Sequence, residues 1–128
     1  MNREDWVEYM RETYGVLPEY PWQRYPQDAV FRHPENRKWF ALLMRVNKAK
    51  LGLKGNGTAD VLTLKADPAM VGSLCREEGI FPGYHMNKAN WVTIWLGGMV
   101  PKQQIEALLE MSFQKTMPKN RNKQRSAP

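Results

Sequence analysis

Residues 91–96, Trp-Val-Thr-Ile-Trp-Leu, constrain the fold of this chain more than any other stretch. Five of these six residues are β-branched or aromatic, and Gly97-Gly98 follows them as a stop. This composition predicts a β-strand in which Trp91, Thr93 and Trp95 share one face and aliphatic side chains share the other. We expect the aliphatic face to be buried and the aromatic face to meet solvent. The chain must therefore build a sheet around this strand.

A turn, a short strand and a polar loop precede this run. Pro82-Gly83 is a turn signal, and residues 84–86 (Tyr-His-Met) are predicted to form a strand after it. Residues 87–90 (Asn-Lys-Ala-Asn) then connect the two strands. The pattern predicts a two-stranded ribbon with Lys88 at its tip. An ordinary core hairpin with a solvated turn is the alternative, and composition alone favours it.

Three earlier segments also have the composition and the turn boundaries of strands: residues 28–33, 38–46 and 59–65. In the second of them, alternation predicts an inward face made of Phe40, Leu42, Met44 and Val46. The opposite face of that strand is also rather apolar. A helix, the proline-rich residues 17–28 or a ligand must therefore cover part of it.

Helix signals stand in three places. Asn2 can cap a first helix that carries acidic residues in its first turn. Asp67-Pro68 combines an N-cap residue with proline at the first helical position, and Gly79 is expected to end this second helix. A third helix is predicted between Pro101 and Pro118.

The predicted order of elements is therefore α-β-β-β-α-β-β-α. Short turns favour antiparallel pairing, and the helices need one face of the sheet on which to bury their apolar stripes. We expect an α+β, two-layer fold in which helices pack on an antiparallel sheet, in a single domain over residues 1–116. Residues 117–128 are expected to form a basic, disordered tail.

The net charge of +6 lies mostly in that tail. Residues 115–128 carry five basic and no acidic side chains, whereas the remaining 114 residues carry 14 basic and 13 acidic ones. Bulk charge therefore does not demonstrate a basic patch on the body of the protein. No apolar run is long enough to span a membrane, the N-terminus has no signal-peptide core, and Cys75 has no partner for a disulfide. We expect a cytoplasmic monomer.

Several linked motifs are spread over residues 3–115. They are Phe31-Arg32-His33, Lys38-Trp39-Phe40-Ala41, Leu64-Lys65-x-Asp67-Pro68, Pro82-Gly83-Tyr84-His85-Met86-Asn87-Lys88-x-x-Trp91-x-Thr93 and Ser112-Phe113. Together they resemble the MmcQ/YjbR family. The resemblance implies a double-wing type of fold, similar also to secretion-chaperone-like domains, and a DNA-binding function. Asn90 and Phe113 depart from the family pattern, which has His and Tyr there, so no metal or proton-transfer role is carried over for a histidine at position 90.

From these observations we expect a non-enzymatic DNA-binding module that uses the 84–95 ribbon and the basic tail. Lys88, with Lys38 or Lys65, would meet phosphates, and Asn87 would read a base edge of double-stranded DNA. The expected contact residues of the body are Lys38, Lys65, Tyr84, His85, Asn87, Lys88, Asn90, Trp91 and Thr93. The tail would add sequence-independent attraction through Lys119, Arg121, Lys123 and Arg125.

Two other functions remain open. A protein or peptide partner would suit an exposed aromatic face of Trp39, Trp91 and Trp95, or an edge strand that accepts another strand. A small-molecule site or an enzyme would rest on His85 with Lys88, Asn87 and Tyr84. No nucleophile–base pair and no metal-ligand spacing accompanies these residues, so we expect no catalysis, metal or cofactor.

Overall fold

The computed structural model describes residues 1–118, which form three α-helices, a one-turn 3₁₀ helix and five β-strands. The helices are α1 (Arg3–Tyr14), α2 (Pro68–Leu74) and α3 (Lys102–Lys115). The strands are β1 (Ala29–Arg32), β2 (Trp39–Asn47), β3 (Thr58–Lys65), β4 (Ile80–Pro82) and β5 (Trp91–Trp95). Their order is the predicted one, so the α+β prediction is confirmed. The expected tail cations Lys119, Arg121, Lys123 and Arg125 lie outside the described residues.

The five strands form one antiparallel sheet in the order β1-β2-β3-β5-β4. Strands β1 to β3 follow one another as a meander, which matches their short connections. The chain then leaves the sheet through α2 and returns to pair β5 with β3, with the short β4 outside β5. This order brings the β5 aromatic residues beside the middle of the sheet, where Thr63 lies opposite Thr93.

The helix starts follow their sequence signals. Asn2 and Asp5 form a reciprocal capping box at α1, and the Asp67 side chain accepts a hydrogen bond from the Ala69 amide at α2. Helix α2 ends at Leu74 and does not reach Gly79. The predicted end is wrong because residues 75–79 form turns that redirect the chain into β4.

The sheet is buried on both faces. The helices cover one face, where Trp6 and Met10 of α1 and Leu109 of α3 pack with Ala41 and Leu43 of β2. The other face carries a second buried cluster, which we call the loop-covered face because connections and not helices lie over it. Its buried members are Val30, Leu42, Met44, Val46, Ala59, Val61 and Trp91.

The four residues predicted to face inward on β2 are all buried, but they do not share one face as predicted. Only Phe40 packs with the helices, whereas Leu42, Met44 and Val46 belong to the loop-covered face. The cause is a β-bulge: Phe31 pairs with Ala41 and Arg32 pairs with Trp39, which leaves Phe40 as an extra residue. Phe40 and Ala41 thus share one core, and the alternation changes phase there.

The strand before β5 also differs from the prediction. β4 ends at Pro82, and residues 84–86 belong to the connection between β4 and β5. His85 has φ of 62°, in the left-handed region that an extended strand does not contain. The connection begins at Gly83, whose amide donates to the Trp91 carbonyl at 2.9 Å. A Cβ atom on Gly83 would stand 2.7 Å from the Trp91 Cβ, so this close approach requires glycine.

Candidate functional site

Two of the three residues on the aromatic side of β5 are closed to solvent, and the third, Trp95, is half-buried. Trp91 is 7% exposed and Thr93 is fully buried, so the prediction that both would face solvent is wrong. The physical reason is the β4–β5 connection, which folds back over this face. The Thr93 Oγ1 atom accepts a hydrogen bond from the Tyr84 amide at 2.8 Å and lies 2.7 Å from the Thr63 Oγ1. Thr93 therefore anchors the connection to the sheet.

Two polar side chains of the connection bond within the connection itself. The Lys88 ammonium donates to the Gly83 carbonyl at 3.0 Å, and the Asn87 Oδ1 accepts from the Ala89 amide at 2.9 Å. The Asn90 Oδ1 is buried and has no hydrogen-bond partner among the described residues. Asn87 and Lys88 are exposed, but they belong to a folded-back loop rather than to the tip of a projecting ribbon.

A cavity of about 610 Å³ lies on the loop-covered face, and we call it the aromatic pocket. Strand β2 provides an apolar floor through Leu42, Met44 and Val46. Aromatic side chains stand on the two sides of this floor and polar groups lie toward the end of β2. The remaining lining residues are Trp22, Tyr25, Asp28, Trp39, Arg45, Asn47, Lys50, Tyr84, His85 and Met86.

One wall of the aromatic pocket comes from the proline-rich connection. Trp22 packs edge-on against Trp39, with ring centroids 5.9 Å apart and planes at 89°. Further along, the Asp28 carboxylate accepts a hydrogen bond from the Arg45 amide at 3.0 Å. The connection thus runs beside β2 from one end of the strand toward the other. The sequence offered this segment as one possible cover of the opposite face of β2, which the helices cover instead. Tyr25 lines the pocket between these two anchors.

The other wall comes from the β4–β5 connection. The rings of Tyr84 and His85 lie 4.0 Å apart with planes at 56°, and both line the pocket. The left-handed backbone of His85 makes the chain turn at this point. Within residues 1–118, neither the Tyr84 hydroxyl nor the His85 imidazole forms a hydrogen bond. These two polar groups are therefore available to a ligand.

Cations border the loop-covered face. The Arg32 guanidinium lies 5.4 Å from the Trp39 ring centroid, and the Lys65 ammonium lies 5.9 Å from that of Trp91. The Arg45 guanidinium lies on the helix-covered side of β2 instead: its Nε donates at 2.9 Å to Asp60, which also pairs with Arg3 of α1, and the bond to Asp60 raises the pKa of Arg45. Lys50 lines the pocket.

Charge is divided between the two layers of the fold. The strands with their connections, residues 15–66 and 80–101, carry ten basic and four acidic side chains. The helical segments with their turns, residues 3–14, 67–79 and 102–115, carry five basic and nine acidic ones. A body that is nearly neutral in sum therefore has a basic sheet layer and an acidic helix layer.

The predicted site residues separate into three groups. Tyr84 and His85 line the aromatic pocket, and Lys65 borders the same face of the sheet. Lys38 is exposed immediately before β2, and Asn87, Lys88 and Asn90 belong to the β4–β5 connection. Trp91 and Thr93 are buried.

Sequence reasoning missed the proline-rich wall and the cationic end of the pocket. Trp22 and Tyr25 stand between prolines in residues 17–28, which the sequence indicated only as a possible cover for part of the sheet. Lys50 carried no local signal, because its role depends on which face of β2 is covered by loops. Residues 1–118 contain no group of three potential metal-ligating side chains, and no helix there is long and apolar enough to cross a bilayer.

These features define a class of small α+β domains in which helices cover one face of an antiparallel sheet and loops enclose an aromatic pocket on the other. The resemblance noted in the sequence is confirmed by a match of the YjbR family model to residues 11–115. The chain belongs to the YjbR family.

Relatives of the chain carry no assigned function. The Bacillus subtilis (strain 168) protein YyaQ is 44% identical over 116 residues, which cover 91% of this chain and 98% of YyaQ. The Escherichia coli (strain K12) protein YjbR is 33% identical over 57 residues, which cover 44% of this chain and 48% of that protein. Both are described as uncharacterized proteins.

Solved structures share the fold. The crystal structure of a Pseudomonas syringae protein matches with a TM-score of 0.90 and 44% identity, covering 91% of this chain and all of that one. The crystal structure of Deinococcus radiodurans protein DR2400 matches with a TM-score of 0.66 and 26% identity, covering 95% of this chain and 88% of that one. The loop-covered sheet is thus built on a backbone that recurs in solved proteins.

Proposed function

We propose that this protein is a non-enzymatic nucleic-acid-binding module and that it meets the phosphate backbone with the loop-covered face of its sheet. The observation that carries the proposal is the division of charge between the layers. The sheet layer has six more basic than acidic side chains, and the helix layer has four more acidic than basic ones. Such a distribution orients a polyanion toward one side of the protein.

The cations of this face are suited to phosphate contacts. Lys50 and Lys65 make no ion pair within residues 1–118, so their ammonium groups are free to replace counterions on a nucleic acid. Arg32 is less available because its Nε lies 3.3 Å from the Glu19 carboxylate. Arg45 pairs with Asp60 on the helix-covered side of β2 and is not part of this surface. We therefore assign the larger phosphate contribution to the two lysines.

The proposal changes the binding geometry that the sequence suggested. Insertion of a β4–β5 ribbon into a groove requires Trp91, Thr93 and the loop polar groups to project from the body. Burial of Trp91 and Thr93, and the bond between Lys88 and the Gly83 carbonyl, weigh against that geometry. The aromatic and cationic groups around the pocket form a broader surface on the same side of the sheet.

Binding of labelled DNA, single-stranded and duplex, over a series of salt concentrations tests the proposal. We expect the Lys50→Glu/Lys65→Glu double variant to weaken binding to both forms and to reduce the slope of log K against log salt by about 2. The matched control is Lys102→Glu on α3, which changes one exposed charge on the helix layer. Equal affinities for wild type and the double variant would contradict the proposal.

The tail is tested separately by a chain that ends at residue 118. Truncation after residue 115 is unsuitable, because Thr116 and Met117 are buried and the Thr116 hydroxyl lies 2.8 Å from the His33 Nε2. If the body binds, the 1–118 chain keeps the sensitivity to the lysine substitutions. If that chain no longer binds nucleic acid at low salt, the affinity resides in residues 119–128 and the proposed surface is wrong.

A peptide partner is the second candidate, and the apolar floor of the pocket is the observation that favours it. Strand addition at the sheet edges is less favourable. Glu19 already exchanges two backbone hydrogen bonds with Val30 of β1, and β4 is three residues long and ends in Pro82. Binding that is insensitive to salt and to both lysine substitutions would favour a peptide in the pocket over nucleic acid.

A further inference from the structure

We infer that the aromatic pocket holds an unpaired nucleobase, with the attached phosphate at the cationic end of the pocket. This inference rests on the nucleic-acid-binding function proposed above and adds a preference for single-stranded over duplex substrate. The pocket volume of about 610 Å³ lies within the range of about 300–1000 Å³ that small-molecule sites occupy.

The lining of the pocket matches the flat, amphipathic shape of a base. The floor is aliphatic, through Leu42, Met44 and Val46, and offers a smooth apolar surface. The walls are aromatic, with Tyr25 on one side and the paired Tyr84 and His85 rings on the other. Aromatic side chains bind unpaired bases by stacking, and the faces of paired bases are covered by their neighbours within a duplex.

The pocket also has a chemical direction along β2. Trp39 begins the strand and lies with Trp22 at the aromatic end. Lys50 lies in the short helix that follows the opposite end of the strand. Its ammonium makes no ion pair within residues 1–118, which leaves it for an anion. An apolar aromatic end beside a cationic end complements a base with its phosphate.

Asp28 is the acidic member of the lining, and its position does not oppose this assignment. Its carboxylate accepts a hydrogen bond from the Arg45 backbone amide, so part of its hydrogen-bonding capacity is used to hold the proline-rich connection against β2. The Tyr84 hydroxyl and the His85 imidazole form no hydrogen bond within residues 1–118. They are therefore the groups we assign to the edge of the base.

A pair of tyrosines in the same connection provides a matched test. Tyr25 lines the pocket and is 58% exposed, whereas Tyr20 is 54% exposed and does not line it. We expect Tyr25→Ala to weaken binding of a short oligothymidylate about tenfold, because the variant loses one base–aromatic stack. Tyr20→Ala should leave that affinity unchanged. Both variants should bind a hairpin duplex as the wild type does.

A second measurement identifies what the pocket recognises. We expect thymidine monophosphate to shift the indole N–H resonances of Trp22 and Trp39 in the NMR spectrum, and inorganic phosphate alone to leave them in place. Binding of thymidine monophosphate without binding of oligothymidylate would assign the base site to free nucleotides. Equal shifts with inorganic phosphate would overturn the inference, because the pocket would then recognise only an anion.

The two proposals fail in different ways. If the Lys50→Glu/Lys65→Glu variant loses affinity while Tyr25→Ala and Tyr20→Ala behave alike, the phosphate surface stands and the base pocket is refuted. If neither lysine nor tyrosine substitutions alter binding, both proposals are refuted. Circular dichroism of each variant excludes unfolding as the cause of a loss. Tyr20, Tyr25 and Lys50 are exposed and Lys65 is half-buried, so these substitutions should keep the fold.

Discussion

Thr93 distinguishes a structural from a nucleic-acid-contacting role for β5. Its hydroxyl accepts a hydrogen bond from the Tyr84 amide and forms another with the Thr63 hydroxyl across the paired strands β3 and β5. Thr93→Val keeps the shape of the side chain but leaves both groups without a partner. An unpaired buried polar group costs about 1–3 kcal/mol, and the Tyr84 amide is only partly buried. We therefore expect Thr93→Val to lower the free energy of unfolding by about 2–3 kcal/mol.

A double-mutant cycle separates the two bonds. In Thr63→Val/Thr93→Val the hydroxyl pair is replaced on both sides, so only the Tyr84 amide remains unpaired. We expect the double variant to lose about 1 kcal/mol less than the sum of the two single variants. The assay is urea denaturation followed by circular dichroism, with the exposed Thr58→Val at the start of β3 as the matched control.

Two results would refute this reasoning. The first is a loss below about 0.5 kcal/mol for Thr93→Val, which is the range expected of an exposed substitution such as Thr58→Val. The second is simple addition of the two single losses in the double variant, which would mean that the hydroxyls do not interact. A loss of DNA affinity without any loss of stability would return Thr93 to the contact role predicted from the sequence.

Three further predictions concern stability. Ser112→Ala should lower the free energy of unfolding, measured by urea denaturation, by about 2–4 kcal/mol, because the Ser112 hydroxyl bridges the Lys65 amide and the Phe40 carbonyl where the β2–β3 ladder ends. The exposed Ser73→Ala control should lower it by less than about 0.5 kcal/mol. Burial, and then the hydrogen bond to a carboxylate of α3, raises the pKa of Tyr14 above its usual value near 10. The stabilisation that this raised pKa gives the folded protein is complete well below pH 10 and is lost as the pH rises further, because the unfolded chain releases the Tyr14 proton first. The difference in unfolding free energy between wild type and Tyr14→Phe should therefore shrink from about pH 9 to about pH 11. Gly83→Ala should cost about 1–3 kcal/mol by thermal or urea unfolding, since its new Cβ would stand 2.7 Å from a tryptophan Cβ; an unchanged midpoint would show that the connection moves freely.

Local signals predicted an element well where a residue type has a specific structural role, such as a helix N-cap or a β-branched strand residue. Asn2 and Asp67 cap α1 and α2 as expected, because their short side chains reach orphan amides within the same turn. The β-branched run of β5 forms a strand between turns. These outcomes need only the neighbouring residues, so the order of elements and the α+β class were readable from the chain.

The candidate site was readable only in part. Tyr84 and His85 were singled out from the sequence, but as members of a strand in an exposed ribbon. The left-handed backbone at His85 and the close approach at Gly83 place both rings in a loop over the sheet. Trp22 and Lys50 join them from distant positions in the chain. No local pattern encodes which separate connections will cover the same face.

The sequence by itself determined the class and order of the elements, the helix starts and the family to which the chain belongs. The tertiary structure alone decided which face of each strand is buried by helices and which by loops. One extra residue at Phe40 reverses the alternation of β2, and pairing between distant strands fixes what lies beside it. Burial and the separation of charge between layers are properties of the packed chain, so they appear only when strands, helices and connections meet.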